Sequence, residues 1–287
     1  MTPAALQAAY KTDLAAVQSQ VLDDRGYYLR GLALRAIEKG GRGHIGSALS
    51  LIEIIRVLYD DVLRVRPREP KWPDRDRFIL SKGHGCLAIY VLLADKGFFP
   101  VEELDRFCHF DGLLGGHPEI IAPGVEASTG ALGHGLPIGV GLALAARMRK
   151  RDSRIVVLMG DGEINEGSVW EAAACADKHR LSNLTAVIDY NKIQSAGSVF
   201  EIQSMEPLAQ KWSSFGFGVF ECNGHNVEDL RRAFDQAIVQ PSDGPRVVIC
   251  HTVKGKGIPE AENNPSWHHK SELSADVLSA IRSAKRN

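Results

Sequence analysis

The chain has 287 residues, enough to bury a sizeable core, and its 34 Lys and Arg against 35 Asp and Glu leave a formal net charge of −1. That balance excludes an overall field favouring nucleic acid or an anionic membrane, so any phosphate recognition must be local. Cys86, Cys108, Cys175, Cys222 and Cys250 lie far apart with no Cys-x-x-Cys, which argues against a disulfide framework or a zinc site and fits a reducing cytoplasm. Lys11, Asp13, Asp23 and Asp24 come too early for a signal sequence, and no apolar run reaches the roughly 18 residues of a membrane span. A soluble, cytoplasmic protein with no nucleic-acid or membrane partner is the expectation.

Residues 4–21 and 24–39 carry apolar positions at helical spacing and read as helices, the second ending at Gly40-Gly41. Gly43-His44-Ile45-Gly46-Ser47 then opens an apolar helix reaching Tyr59, which puts His44 beside a helix N-terminus. A Pro-rich, charged connection over 67–73 leads to a strand at 77–80, the loop Ser81-Lys82-Gly83-His84-Gly85 and a helix over 86–96. Residues 110–130 lack periodicity and read as a long ordered loop carrying His117; loops of that length are commonly functional. The most apolar helix spans 136–147. Strands are expected at 155–159, 184–189, 219–222 and 246–251, and helices at 165–179, 205–215, 227–239 and 274–285. Trp267-His268-His269 falls in a loop over 254–270. This alternation predicts an α/β fold, a doubly wound, mostly parallel sheet with helices on both faces. The division expected is an N-terminal helical segment (1–26), one main domain (27–270) and a C-terminal helix (271–287).

The most informative stretch is 154–194. The apolar, β-branched run 155–159 has the character of a strand buried on both faces. Gly160-Asp161-Gly162 ends it, placing a carboxylate at the carboxyl end of the strand, where open α/β sheets bind ligands. The following helix and strand end at Asn191, 191 − 161 = 30 positions later, so in a parallel unit Asp161 and Asn191 converge on one rim. One carboxylate, one amide oxygen and a backbone carbonyl suit Mg²⁺, which takes few protein ligands and completes its shell with water and phosphate. Gly-Asp-Gly alone also fits a plain turn.

Gly160-Asp161-Gly162 with Asn191 resembles the thiamine diphosphate motif, and Gly-Asp-Gly-Glu-Ile-Asn-Glu-Gly followed by Trp170-Glu171-Ala172-Ala173 resembles its transketolase version, from about residue 27 to 270. The resemblance implies the thiamine diphosphate-binding fold and two cofactors, thiamine diphosphate and Mg²⁺, for which Ca²⁺ or Mn²⁺ can substitute. It assigns the metal to Asp161, Asn191 and Ile193. It assigns cofactor contacts to His84, Gly130, Ala131, Leu132, Asp161, Gly162, Glu163, Asn191 and His268. His44, His117 and His268 then face the sugar hydroxyls, and Glu166 belongs to a carboxylate relay at the subunit boundary. Each of these residues also has a plainer reading: the histidines as caps or surface residues, Glu166 as a dipole partner in a first helical turn, Gly130-Ala131-Leu132 as a tight helix start. Trp170 and Trp267 read as packing residues.

Transketolases continue into a pyrimidine-binding module and a C-terminal module, and neither fits in 287 residues. The expectation is therefore the N-terminal subunit of a split transketolase, joined by a C-terminal subunit carrying the pyrimidine-binding module in an α2β2 assembly. The activity implied is transfer of a two-carbon ketol group from a ketose or ketose phosphate to an aldose or aldehyde. Two other readings compete: the α-type subunit of a 2-oxo acid dehydrogenase, and a non-catalytic cofactor-binding partner. Gly43-His44-Ile45-Gly46 and Ser81-Lys82-Gly83-His84-Gly85 match transketolases and speak against the dehydrogenase. His134, Ala196 and His269 depart from the usual pattern and put the usual pentose phosphate substrates in question.

Overall fold

In a computed structural model of the chain, residues 15 and 17–274 are described. The helices expected over 4–21 and 274–285 lie outside that range except at 15, 17–21 and 274. Among the described residues, β1 (Arg77–Leu80), β2 (Ile155–Gly160), β3 (Leu184–Tyr190), β4 (Gly218–Asn223) and β5 (Arg246–His251) form one sheet in the order β1-β2-β3-β5-β4. Every neighbouring pair is parallel. All carboxyl ends therefore open on one rim, and the register sets Gly160 opposite Asp189 and Tyr190 opposite His251 at the centre of it. The last strand is not an edge: β5 inserts between β3 and β4.

The two strands β2 and β3 are buried on both faces, as their largely apolar sequences suggest. Val156 and Leu158 join one core with α1 (Asp24–Gly40), α2 (Ile45–Leu49), α3 (Ile52–Val57) and α4 (Cys86–Asp95). Ile155, Val157 and Met159 join a second core under α5 (Gly135–Met148) and α6 (Gly167–Lys178). Each fully buried aliphatic side chain in these layers contributes roughly 1.5–3 kcal/mol. Helix α1 starts where the Asp23 carboxylate accepts the Gly26 N–H at 2.8 Å, and it ends at Gly41, whose φ of 65° suits a residue without Cβ.

Where element boundaries differ from the pattern in the sequence, side-chain chemistry accounts for it. The helix expected up to Tyr59 divides at Ser50 and Leu51 and closes in a π-helical turn, Leu58–Val62. Ser50 directs its hydroxyl to Asp189 on β3 at 2.7 Å. The helix expected from Asn165 begins only at Gly167, because Glu163–Asn165 forms a 3₁₀ turn held by the Gly160 N–H on the Glu163 carboxylate at 3.1 Å. The helix expected from Met205 becomes Leu208–Ser214, since Pro207 bars helical geometry at Glu206.

Candidate functional site

The rim above β2 and β3 holds a cavity of about 330 Å³. Asp161, Asn191 and Ile193 all line it. The Asp161 carboxylate accepts the Gly162 N–H at 2.7 Å and the Lys192 N–H at 2.6 Å, the latter aimed inward by the left-handed conformation of Lys192 (φ 65°). Burial first, then the charge of nearby Asp189, push the Asp161 carboxyl up to about 6, against the pull of Lys82 and the two N–H groups. Asn191 Nδ2 donates to Asp189 at 3.0 Å and its Oδ1 accepts the Ile193 N–H at 3.0 Å, which fixes the amide's orientation.

Asp189 organises this floor, and sequence reasoning missed it. It is fully buried and accepts hydrogen bonds from Lys82 Nζ at 2.6 Å, from Ser50, from Asn191 and from Thr252. Burial raises its pKa, but the Lys82 charge and these hydrogen bonds outweigh that and hold it below the usual carboxylate range. Lys254 is the second cation of the cavity. Its ammonium donates to the Ile193 carbonyl at 3.2 Å and the Gln194 carbonyl at 3.1 Å, and burial, then repulsion from Lys82, lower it to about 8. The signals for Asp189 and Lys82 were legible: a carboxylate near the end of a mostly apolar strand, and a lysine just before Gly83-His84-Gly85.

The remaining residues named from the sequence are distributed as follows. Gly162, Glu163, Glu166 and Leu132 line the same cavity. Glu163 is buried, its carboxylate occupied by Ser81 and by the N–H groups of Gly133 (3.0 Å) and Gly160 (3.1 Å). Glu166 is exposed at the start of α6. Gly130 (φ 147°) packs so closely that a Cβ there would lie 3.0 Å from the His117 ring, and a Cβ on Gly83 would lie 2.9 Å from Gly130 N. The 129–132 segment, Ala131 included, thereby joins the loops of His84 and His117.

Five histidines converge beside the cavity. The His44 ring stands 5.5 Å from His84, 5.2 Å from His268, 6.0 Å from His117 and 4.8 Å from His269, measured between centroids. His84 and His268 line the 330 Å³ cavity, whereas His44, His117 and His269 line an adjoining one of about 540 Å³. Burial, reinforced by neighbouring positive groups, lowers His44 and His268 to about 4 and His84 to about 2, so these rings are neutral at pH 7. Of the three departures, His269 stands against His44, while His134 and Ala196 are exposed. Trp170 packs on Trp212 and donates to the Ile164 carbonyl at 2.8 Å.

A ligand's polar demands are written into the cavity. Asn165 Oδ1, Gln194 Nε2 and His268 Nδ1 are buried there without hydrogen-bond partners. Two lysines, two potential N–H donors, the Asp161 carboxylate and one oriented amide oxygen fit a diphosphate held through a hard divalent cation. Among the described residues no group of three or more His, Cys, Asp or Glu is arranged to hold a metal ion by itself.

The family model for the transketolase, thiamine diphosphate-binding domain matches residues 24–285. The chain belongs to this transketolase family. It is 42% identical to one of the subunits of the apulose-4-phosphate transketolase of Phocaeicola vulgatus over 266 residues, 93% of this chain and 94% of that one. It is 40% identical to the 6-deoxy-6-sulfo-D-fructose transketolase subunit SqwG of a Clostridium species over 249 residues, 86% of this chain and 90% of that one. The crystal structure of Campylobacter jejuni transketolase superposes with a TM-score of 0.81 at 30% identity over 91% of this chain, which spans 45% of that longer protein. Transketolase-type binding of thiamine diphosphate follows from the family, and the 2-oxo acid dehydrogenase reading is not favoured by these relatives. No helix among the described residues is long and apolar enough to cross a membrane.

Proposed function

We propose that this chain is the cofactor-binding subunit of a split transketolase, moving a two-carbon ketol group from a ketose or ketose phosphate to an aldose or aldehyde. The observation that carries this reading is the junction of a cavity of about 330 Å³, lined by Lys82, Asp161, Asn191 and Lys254, with a wall of neutral histidines. Asp161, Asn191 and the Ile193 carbonyl would hold Mg²⁺, and Lys82, Lys254, His84 and the unpartnered nitrogens of Gln194 and His268 would meet diphosphate oxygens. Bound there, thiamine diphosphate supplies a nucleophilic carbon for cleaving and forming the carbon–carbon bond. His44, His117 and His268 orient the sugar hydroxyls and carry protons, since the two nitrogens of an imidazole ring can serve as donor and acceptor.

The partner belongs to the same proposal. Two relatives matched over most of their length are named as single subunits of apulose-4-phosphate transketolases, which supports a second subunit presenting the pyrimidine-binding module and its activating acid. Glu166, exposed and part of the cavity lining, would face that subunit. An assembly of two copies of each subunit, working in the cytoplasm, completes the proposal. Assay of the co-purified subunits with thiamine diphosphate and Mg²⁺ against a panel of ketose donors and aldehyde acceptors tests it. Ketol transfer with at least one pair is expected; a 2-oxo acid decarboxylated in place of any ketose would overturn the reading.

A further inference from the structure

The 540 Å³ cavity beside the histidine wall has an arginine in its lining. Arg42 lines this space with His44, His109, His117, Glu119 and His269. Neighbouring arginines are committed: Arg30 to Glu53, Arg35 to Asp105, Arg56 to Asp23, Arg64 to Asp76. The Arg42 guanidinium has no ion-pair or hydrogen-bond partner among the described residues and is exposed. Glu119 is the one carboxylate of the lining, packed against Gly115, whose Cβ would come within 3.1 Å of it.

The backbone ties together the two segments that carry Arg42 and His269. Gly43 and Lys270 form an antiparallel bridge through two hydrogen bonds of 2.9 Å. Each residue of interest immediately precedes one half of it. The bridge sets His269 opposite His44, which accounts for their 4.8 Å separation. Arg42 and His44 flank Gly43 and both face the cavity. Arg42's charge also reaches the half-buried Cys108 thiol elsewhere in the lining, where it works against the rise caused by burial.

We propose that Arg42 and His269 form an anion subsite on this chain, taking the tetrahedral oxyanion of a phosphate ester or sulfonate at the end of the sugar remote from its carbonyl. This rests on the transketolase reading, which places the sugar hydroxyls against His44 and His117. A guanidinium offers parallel N–H donors to two oxygens of such a group, and an imidazole adds a third donor. The subsite selects anionic sugars over neutral ones of the same length.

The test uses the assembled two-subunit enzyme and three sugar donors: a ketose phosphate, a ketose sulfonate and the uncharged ketose. Arg42→Met and His269→Gly should each lower the ratio of kcat/KM for an anionic over the neutral donor, Arg42→Met by about 10- to 100-fold and mainly through KM. Arg42→Lys should restore part of it, and the inhibition constant of inorganic phosphate should rise in parallel. The oxyanion donor that loses more identifies which group the subsite takes. Thiamine diphosphate affinity serves as the control for folding. A wild-type preference that survives Arg42→Met, with unchanged phosphate inhibition, overturns the subsite alone. Absence of ketol transfer by the wild-type enzyme with all three donors overturns the transketolase reading and the subsite with it.

Discussion

Lys82 Nζ lies 2.6 Å from Asp189 Oδ2, and both side chains are buried at the floor of the cavity. Such a pair costs desolvation on both sides, and removing one member leaves the other charged and unpartnered. Asp189→Ala should therefore destabilise the chain by about 3–5 kcal/mol. The double variant Lys82→Met, Asp189→Leu should lose clearly less. Urea unfolding of both variants checks this, and equal losses would show that the two charges do not act as a pair.

Asp161→Ala should abolish Mg²⁺-dependent retention of thiamine diphosphate while leaving the fold nearly intact. Asp161 is the one carboxylate proposed at the ion, and its oxygens otherwise bond only two backbone N–H groups. Calorimetric titration of the assembled enzyme measures the loss; unchanged affinity would remove the metal from this position.

His44→Ala and His117→Ala should reduce turnover more than cofactor affinity, because both rings line the outer cavity and neither lines the inner one. Steady-state rates set beside cofactor titrations separate the two effects. Equal loss of both would reassign these histidines to the cofactor side.

Acid should destabilise the free chain partly through His44. Its pKa in the fold is about 4, below the ordinary 6.5, so between those values the unfolded chain binds more protons and stability falls as pH is lowered through that window. His44→Asn, which cannot take up the proton, should show a shallower loss of urea midpoint from pH 7 to pH 5 than the natural chain. Identical slopes would mean that His44 titrates normally in the fold.

Much of this molecule is legible in its sequence for physical reasons. The β2 and β3 runs announce strands buried on both faces, and Gly160-Asp161-Gly162 with Asn191 marks two strand ends that a parallel sheet must bring to one rim. The polar floor is less legible, because Asp189 draws Ser50 from 139 positions away, Lys82 from 107 and Thr252 from 63. Nor does alternation of strands and helices tell that β5 enters between β3 and β4, which brings Thr252 and Lys254 beside Asp189 and Ile193. The same distance in sequence hid the buried Arg30, Glu53 and His225 cluster, in which His225 accepts the Val253 N–H at 2.9 Å and steadies the Lys254 loop. The break at Ser50 was invisible for a related reason: its cause is a carboxylate on a distant strand.

The central claim is that the site is completed by a second subunit. It is tested most directly by titrating this chain, loaded with thiamine diphosphate and Mg²⁺, with its pyrimidine-module partner while following ketol transfer and molecular mass. The account predicts no transfer from the chain alone, activity that rises with added partner and levels off at equal amounts, and a mass corresponding to two copies of each. Robust ketol transfer by the chain alone would contradict it.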